Sequence, residues 1–159
     1  MVSDASRGVR NTIVALLDVP AERIPDPRPE RLVIDNRDCE FFPHASVASI
    51  GDTVVAENSD PTLHNTHYYR PMRSNIALAA QGMTASRVAR LTGLVTVLCD
   101  VHGWMKAYIR IDPHPFHDVT DDSGRFDARG LRPLLRHGGD LEVTGWQGDR
   151  SAPQTSSAA

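Results

Sequence analysis

The chain has 159 residues, 40% of them apolar and 23% charged, with a formal net charge of −3. That length supports one ordinary domain or two small ones with a real buried core. A mildly acidic balance with no basic run and no aromatic-basic platform excludes nucleic acid as the main partner. The longest apolar runs, residues 12–17 and 93–99, are far too short for a membrane-spanning helix.

Residues 1–7, Met-Val-Ser-Asp-Ala-Ser-Arg, lack the apolar core and cleavage site of a secretory signal, so the expectation is a chain that carries no export address. Residues 12–18, Thr-Ile-Val-Ala-Leu-Leu-Asp, are β-branched and apolar, which suits a buried strand. Pro20, Pro25, Pro27 and Pro29 then mark residues 19–31 as an extended linker without apolar periodicity.

From Leu32 the texture is that of an antiparallel sandwich. Val33-Ile34 leads to Cys39-Glu40-Phe41-Phe42, residues 46–50 run to a turn at Gly51-Asp52, and residues 53–58 alternate as a strand. Short strands separated by Gly, Asp, Asn and Pro turns argue for all-β structure. In Ser59-Asp60-Pro61-Thr62, Pro61 lacks a donor and pushes Asp60 out of helical geometry, so His64 and His67 are expected on a loop at the sheet rim. Residues 70–81 fit a helical turn or an edge strand equally. A strand is expected over residues 88–91, and residues 93–99 are the most strand-like run in the chain. Residues 105–111 have strict period two, with Met105, Ala107, Ile109 and Ile111 on one face. Beyond Asp112, a turn at Asp122-Ser123-Gly124 precedes one or two more strands in residues 131–135 and 141–146, and the small polar residues 151–159 are expected to be disordered.

The stretch with the most chemistry is Cys99-Asp100-Val101-His102-Gly103-Trp104-Met105, where a thiol, an imidazole and a thioether recur every three residues. On a flat strand, Cys99 and His102 would point to opposite faces, but a turn closed with the help of Gly103 brings them together and sets Met105 at the inward start of the next strand. A thiolate, imidazoles and a weak axial thioether are the donors of a trigonal copper site. The second imidazole comes from His64 or His67.

The ordered set of Phe42-Pro43, Val47, Gly51-Asp52-Thr53-Val54, Asn58 and His64-Asn65, followed by Cys99-x-x-His102-x-x-Met105, resembles the cupredoxin family, with a loop spacing similar to that of the amicyanins. The resemblance covers residues 32–111. It implies a Greek-key cupredoxin β-sandwich holding one type 1 copper ion on His64, Cys99, His102 and Met105, with His67 as the alternative to His64. It also implies one-electron transfer to a redox partner protein rather than catalysis, in a periplasmic or extracellular setting. The flanks, residues 8–31 and 112–148, resemble a carboxypeptidase regulatory-like β-sandwich, on Gly8-Val9-Arg10-Asn11-Thr12-Ile13-Val14 and Thr120-Asp121 with Gly124-Arg125-Phe126 and Leu131. Bacterial cupredoxin-domain proteins labelled methylamine utilisation proteins are similar in combining the two patterns. The copper domain would then be inserted in, or followed by, the smaller sandwich, with residues 149–159 as a tail. The flanks depart from the regulatory-like pattern at residues 134–139, where Leu-Leu-Arg-His-Gly-Gly replaces a Pro-Gly-x-Tyr turn.

Three other readings stand beside the electron carrier. A copper-binding or delivery module would want exchangeable methionines, of which only Met72 and Met83 remain. A non-metal interaction module would be locked by a Cys39–Cys99 disulfide. Zinc on His64, Cys99 and His102 is a further option. Cys39 reads as an ordinary buried cysteine, His44, His114, His117 and His137 as structural or surface residues, and Trp104 as a cover for the metal, part of a partner surface or core. No nucleophile elbow, phosphate loop or paired-carboxylate pattern points to an enzyme.

Overall fold

In the computed structural model the described residues are 8–127 and 141–144, and they form strands joined by turns, with a single 3-10 turn at Ala21–Arg23 and no α-helix among them. In chain order the strands are β1 (Ile13–Leu16), β2 (Arg31–Arg37), β3 (Glu40–Phe42), β4 (Ala45–Ser49), β5 (Thr53–Asn58), β6 (His64–Tyr68), β7 (Ser74–Leu78), β8 (Thr84–Val88), β9 (Gly93–Leu98), β10 (Lys106–Asp112), β11 (His117–Val119) and β12 (Leu141–Thr144). The fold class is all-β, as the short, turn-punctuated apolar runs predict. No helix among the described residues is long and apolar enough to cross a membrane. The chain divides into two compact units, residues 27–113 and residues 1–26 with 114–159.

The smaller unit is a three-stranded antiparallel sheet in which β1 lies between β11 and β12. All four residues of β1 are buried, which explains why its sequence is an unbroken apolar run rather than an alternating one. Thr120 ties the approach to β1 down: its hydroxyl accepts from the Thr12 N–H at 2.9 Å and donates to the Val9 carbonyl at 2.6 Å. Gly124 has φ +76, and a Cβ there would collide with the backbone of Gly8. Expectations for residues 131–135, for His137 and for the 149–159 tail lie outside the described residues.

The larger unit is a two-sheet sandwich. One sheet has the order β4-β10-β9-β6-β7 and the other β3-β2-β5-β8, with the parallel pairs β4/β10 and β2/β5 created by chain crossings between sheets. The core between them takes Ile34, Phe41, Val54 and Ala56 from one sheet and Tyr68, Ile76, Leu78, Val95, Val97, Ala107, Ile109 and Ile111 from the other. Ala107, Ile109 and Ile111 point inward with the period-two phase read from the sequence.

One open expectation is resolved and two change. The ambiguous stretch 70–81 holds β7, a strand paired along its length with β6. The strand expected at residues 88–91 ends at Val88, because the exchange of N–H···O bonds between Ala89 and the Gly51-Asp52 turn closes the ladder with β5 there. His64 and His67 lie within β6 rather than on a loop. The Pro61 turn is confined to residues 59–63, and the buried Asn58 side chain spans it, donating to the Thr62 carbonyl at 2.8 Å and the Leu78 carbonyl at 2.9 Å while accepting from the Asp60 N–H at 2.9 Å. The chain is therefore extended again by His64.

Candidate metal centre

The end of β9 pairs antiparallel with the end of β6 through Tyr68↔Val97 and His67↔Leu98, so the chain beyond Leu98 runs toward the start of β6. Cys99 follows β9 as a fully inward residue, 2% exposed, after Val95 and Val97 on the same face. The chain then turns, closed by the Met105 N–H on the His102 carbonyl at 2.9 Å. That turn brings the His102 Nδ1 to 3.7 Å from the Cys99 Sγ.

From the other side, the alternation of β6 points His64, Thr66 and Tyr68 into the sandwich, each without exposed surface. The His64 Nδ1 lies 3.0 Å from the His102 Nδ1. Donor atoms of His64, Cys99 and His102 all fall within 4.8 Å of one another. A metal with bonds of about 2.0 Å to nitrogen and about 2.3 Å to sulfur separates adjacent donors by about 3.3–3.8 Å. The observed separations come close to that span, so the residues present fit an ion of this size and softness. Met105, 1% exposed, is buried in the same apolar cluster as Cys99.

His67 is on the opposite face of β6. Its Nδ1 bonds the Asp100 carboxylate at 3.0 Å and its ring stacks on Tyr69 with centroids 4.3 Å apart. Of the two histidines in the motif, His64 is the one that faces Cys99 and His102, because strand alternation separates neighbours of odd spacing.

Two carboxylates and one amide organise the set. Asp60 Oδ2 receives the His64 Nε2–H at 2.8 Å and the Cys39 N–H at 2.9 Å, and Oδ1 receives the Asp38 N–H at 2.8 Å. Burial alone would raise the Asp60 pKa; the Cys39 and Asp38 N–H bonds and the His64 ring outweigh it and hold the carboxyl below its ordinary range. With its proton held at Nε2 by Asp60, His64 presents the Nδ1 lone pair toward His102 and Cys99. Asn65 is the second organiser. Its Oδ1 accepts from the Asp100 N–H at 2.7 Å and from the Cys99 thiol at 3.3 Å, and its Nδ2 donates to Asn75 at 2.7 Å and Asp100 at 2.9 Å. The His67, Asn75 and Asn65 donors, His67 first, lower the Asp100 pKa despite its modest desolvation.

Cys39 is half-buried rather than buried, and both thiols are free, so the Cys39–Cys99 disulfide is not formed. It occupies the β2–β3 turn with Asp38, both at positive φ (54° and 55°), where its thiol lies near Asp60 and His64. Its carbonyl accepts the Trp104 indole N–H at 3.0 Å. Trp104 is 69% exposed and its ring centroid is 5.2 Å from that of His102, so it belongs to the rim of the site and not to the core. His44 and His114 make ring contacts with Tyr108 and Phe116. Asp60, Asn65 and Asp100 carry roles that the sequence left unassigned. The one signal for Asp60 was its place four residues before His64 in a Pro-bearing turn.

No family model matches the chain, and no curated protein matches it. Solved structures similar to it include a Cu-containing nitrite reductase (NirK) from Thermus scotoductus SA-01, at 18% identity over 55% of this chain and 23% of the reductase, TM-score 0.45. The chain thus spans under a quarter of that protein. A purple cupredoxin from Nitrosopumilus maritimus is 18% identical over 52% of this chain and 98% of its own, TM-score 0.45. Amicyanin from Paracoccus versutus is 13% identical over 62% of this chain and 96% of its own, TM-score 0.44.

Proposed function

We propose that this chain is a cupredoxin: a mononuclear type 1 copper protein that passes single electrons to and from a redox partner protein. The observation that carries the reading is the convergence of the His64 Nδ1, His102 Nδ1 and Cys99 Sγ at one end of the sandwich, with Met105 buried in the same apolar cluster as Cys99. His64, Cys99 and His102 would hold copper there, with Met105 as a weaker further donor, and the ion would supply a one-electron couple. The protein's part is to hold the donors still. Asp60 keeps the proton on the outer nitrogen of His64, Asn65 fixes the backbone just after Cys99, and the His102-to-Met105 hydrogen bond closes the loop that carries the remaining donors. Donors restrained in this way change little between redox states, which keeps the barrier to electron transfer low. His102, only part-buried, is the donor through which the site meets solvent and a partner. A periplasmic or extracellular location accompanies this reading through the family resemblance.

The test is to add Cu(II) to the reduced protein and record the visible spectrum of wild type and Cys99→Ala. An intense thiolate-to-copper band at one copper per chain, lost in Cys99→Ala, supports the proposal. A wild-type protein with both thiols reduced that shows no such band contradicts it.

A further inference from the structure

His64 belongs to two donor groups at once. Its Nδ1 faces His102 and Cys99, while its Nε2 faces Asp60, and a donor atom from each of Cys39, Asp60 and His64 falls within 4.8 Å of the others. The second group has its own chemistry: a thiol, a carboxylate and an imidazole, the donor types that zinc accepts, with half-buried Cys39 leaving room for water as a fourth ligand. Its other two members come from different elements, Cys39 from the β2–β3 turn and Asp60 from the 59–63 turn, so its occupation does not require the Cys99 loop.

We propose that Cys39, Asp60 and His64 form an alternative divalent-cation site, suited to Zn²⁺, that competes with copper for His64. The competition follows from the imidazole itself. A neutral ring carries one proton and offers one lone pair, so an ion on one nitrogen leaves the proton on the other. With Asp60 accepting from Nε2–H, the lone pair is at Nδ1 and the inner set is ready for copper. When Zn²⁺ takes Nε2, the proton displaced from that nitrogen is matched by one taken up at Nδ1, which then donates to the His102 Nδ1 3.0 Å away. The Cys39 thiol releases its proton to solvent. Thiolate and carboxylate together cancel the charge of the dication, so the occupied outer site is neutral in a half-buried place, where a residual charge would be costly. No electron moves in this exchange. The inference shares His64 with the proposed copper site but does not depend on copper binding there.

The experiment uses Cys99→Ala, in which Cys39 is the sole thiol, with Co²⁺ as the spectroscopic probe. One equivalent of Co²⁺ is expected to give a near-ultraviolet thiolate-to-cobalt band that Zn²⁺ displaces and that Cys39→Ser/Cys99→Ala lacks; Asp60→Asn in the Cys99→Ala background should weaken binding at least tenfold. In the protein with both cysteines, Zn²⁺ at ten times the dissociation constant of the outer site should weaken copper binding at least tenfold, and Cys39→Ser should diminish that effect to zinc's direct competition for the inner donors. Absence of the cobalt band from a folded Cys99→Ala protein whose thiol titrates as reduced would overturn the proposal, as would zinc competition that Cys39→Ser leaves undiminished. A wild-type copper band alongside a missing cobalt band sinks this inference alone, whereas a cobalt band without a copper band sinks the copper reading alone.

Discussion

Asn65 offers the sharpest view of how the larger unit holds its candidate site. Asn65→Ala removes three hydrogen bonds that join β6 to the Cys99-Asp100 corner and a fourth to Asn75 of β7. They do not weigh equally. The bond to the Asp100 carboxylate, whose side chain is 48% exposed, is screened and adds little, and the thiol is a weak donor. Exposed Asn75 recovers its lost partner from water. The Asp100 N–H is different, because the short 2.7 Å bond to Asn65 is part-buried. Leaving such a donor unsatisfied costs about 1–3 kcal/mol. With about 1 kcal/mol for the others together, Asn65→Ala should destabilise the unit by about 2–4 kcal/mol. The assay is urea unfolding of the metal-free protein, followed by Trp104 fluorescence in a Trp146→Phe background so that Trp104 is the sole indole reporter. Asn65→Asp should lose more than Asn65→Ala at pH 7, since it sets a carboxylate against Asp100. A loss below about 0.5 kcal/mol, the scale of ordinary surface substitutions, would refute the account of Asn65 as the brace of this corner.

Acid should weaken the metal-free protein in a defined direction. Asp60 is held below its ordinary range against the opposing effect of burial, and Asp121 likewise by N–H bonds from Arg125 and Ser123. For a carboxyl lowered in the folded state, the unfolded chain takes up its proton first, so this stability is present above the unfolded value near about 4 and is lost as pH falls through the folded one. The urea midpoint should therefore drop below pH 4, and Asp60→Asn should show a shallower drop than wild type; parallel curves would contradict the role of Asp60. In the smaller unit, Gly124→Ala forces a side chain into the Gly8 backbone at positive φ, and should make residues 8–26 and 114–127 cleavable by protease under conditions where wild type resists. Equal resistance would show that the two glycines do not need to meet.

The fold class was legible because its signal is local: β-branched runs, period-two alternation over residues 105–111, and turn residues at short intervals. The strand position of His64 was not, because it depends on Asn58 reaching across the 59–63 turn to Leu78, a contact spanning 20 residues that no local pattern encodes. For the candidate site, Cys99, His102 and Met105 were readable from spacing within one turn. Choosing between His64 and His67 required knowing that both sit on a strand, where odd spacing sends them to opposite faces. Asp60 and Asn65 were opaque for the same reason: their work lies in bonds to Cys39, Asp38, Asn75 and Asp100, brought close only by sheet pairing. Cys39 looked like a core residue by type, whereas its place at the apex of a tight hairpin, at positive φ, keeps it half-buried.

The most direct measurement is a reductive titration of the Cu(II)-loaded protein, followed by reoxidation, with the visible band monitored throughout. A carrier with its copper on His64, Cys99 and His102 should bleach with one electron per copper and recover fully on reoxidation, with both cysteines still titrating as thiols after unfolding. The contrary result is spontaneous, irreversible bleaching without added reductant, two Cu(II) consumed per disulfide formed and two protons released, which would mean that Cys99 reduces copper instead of holding it.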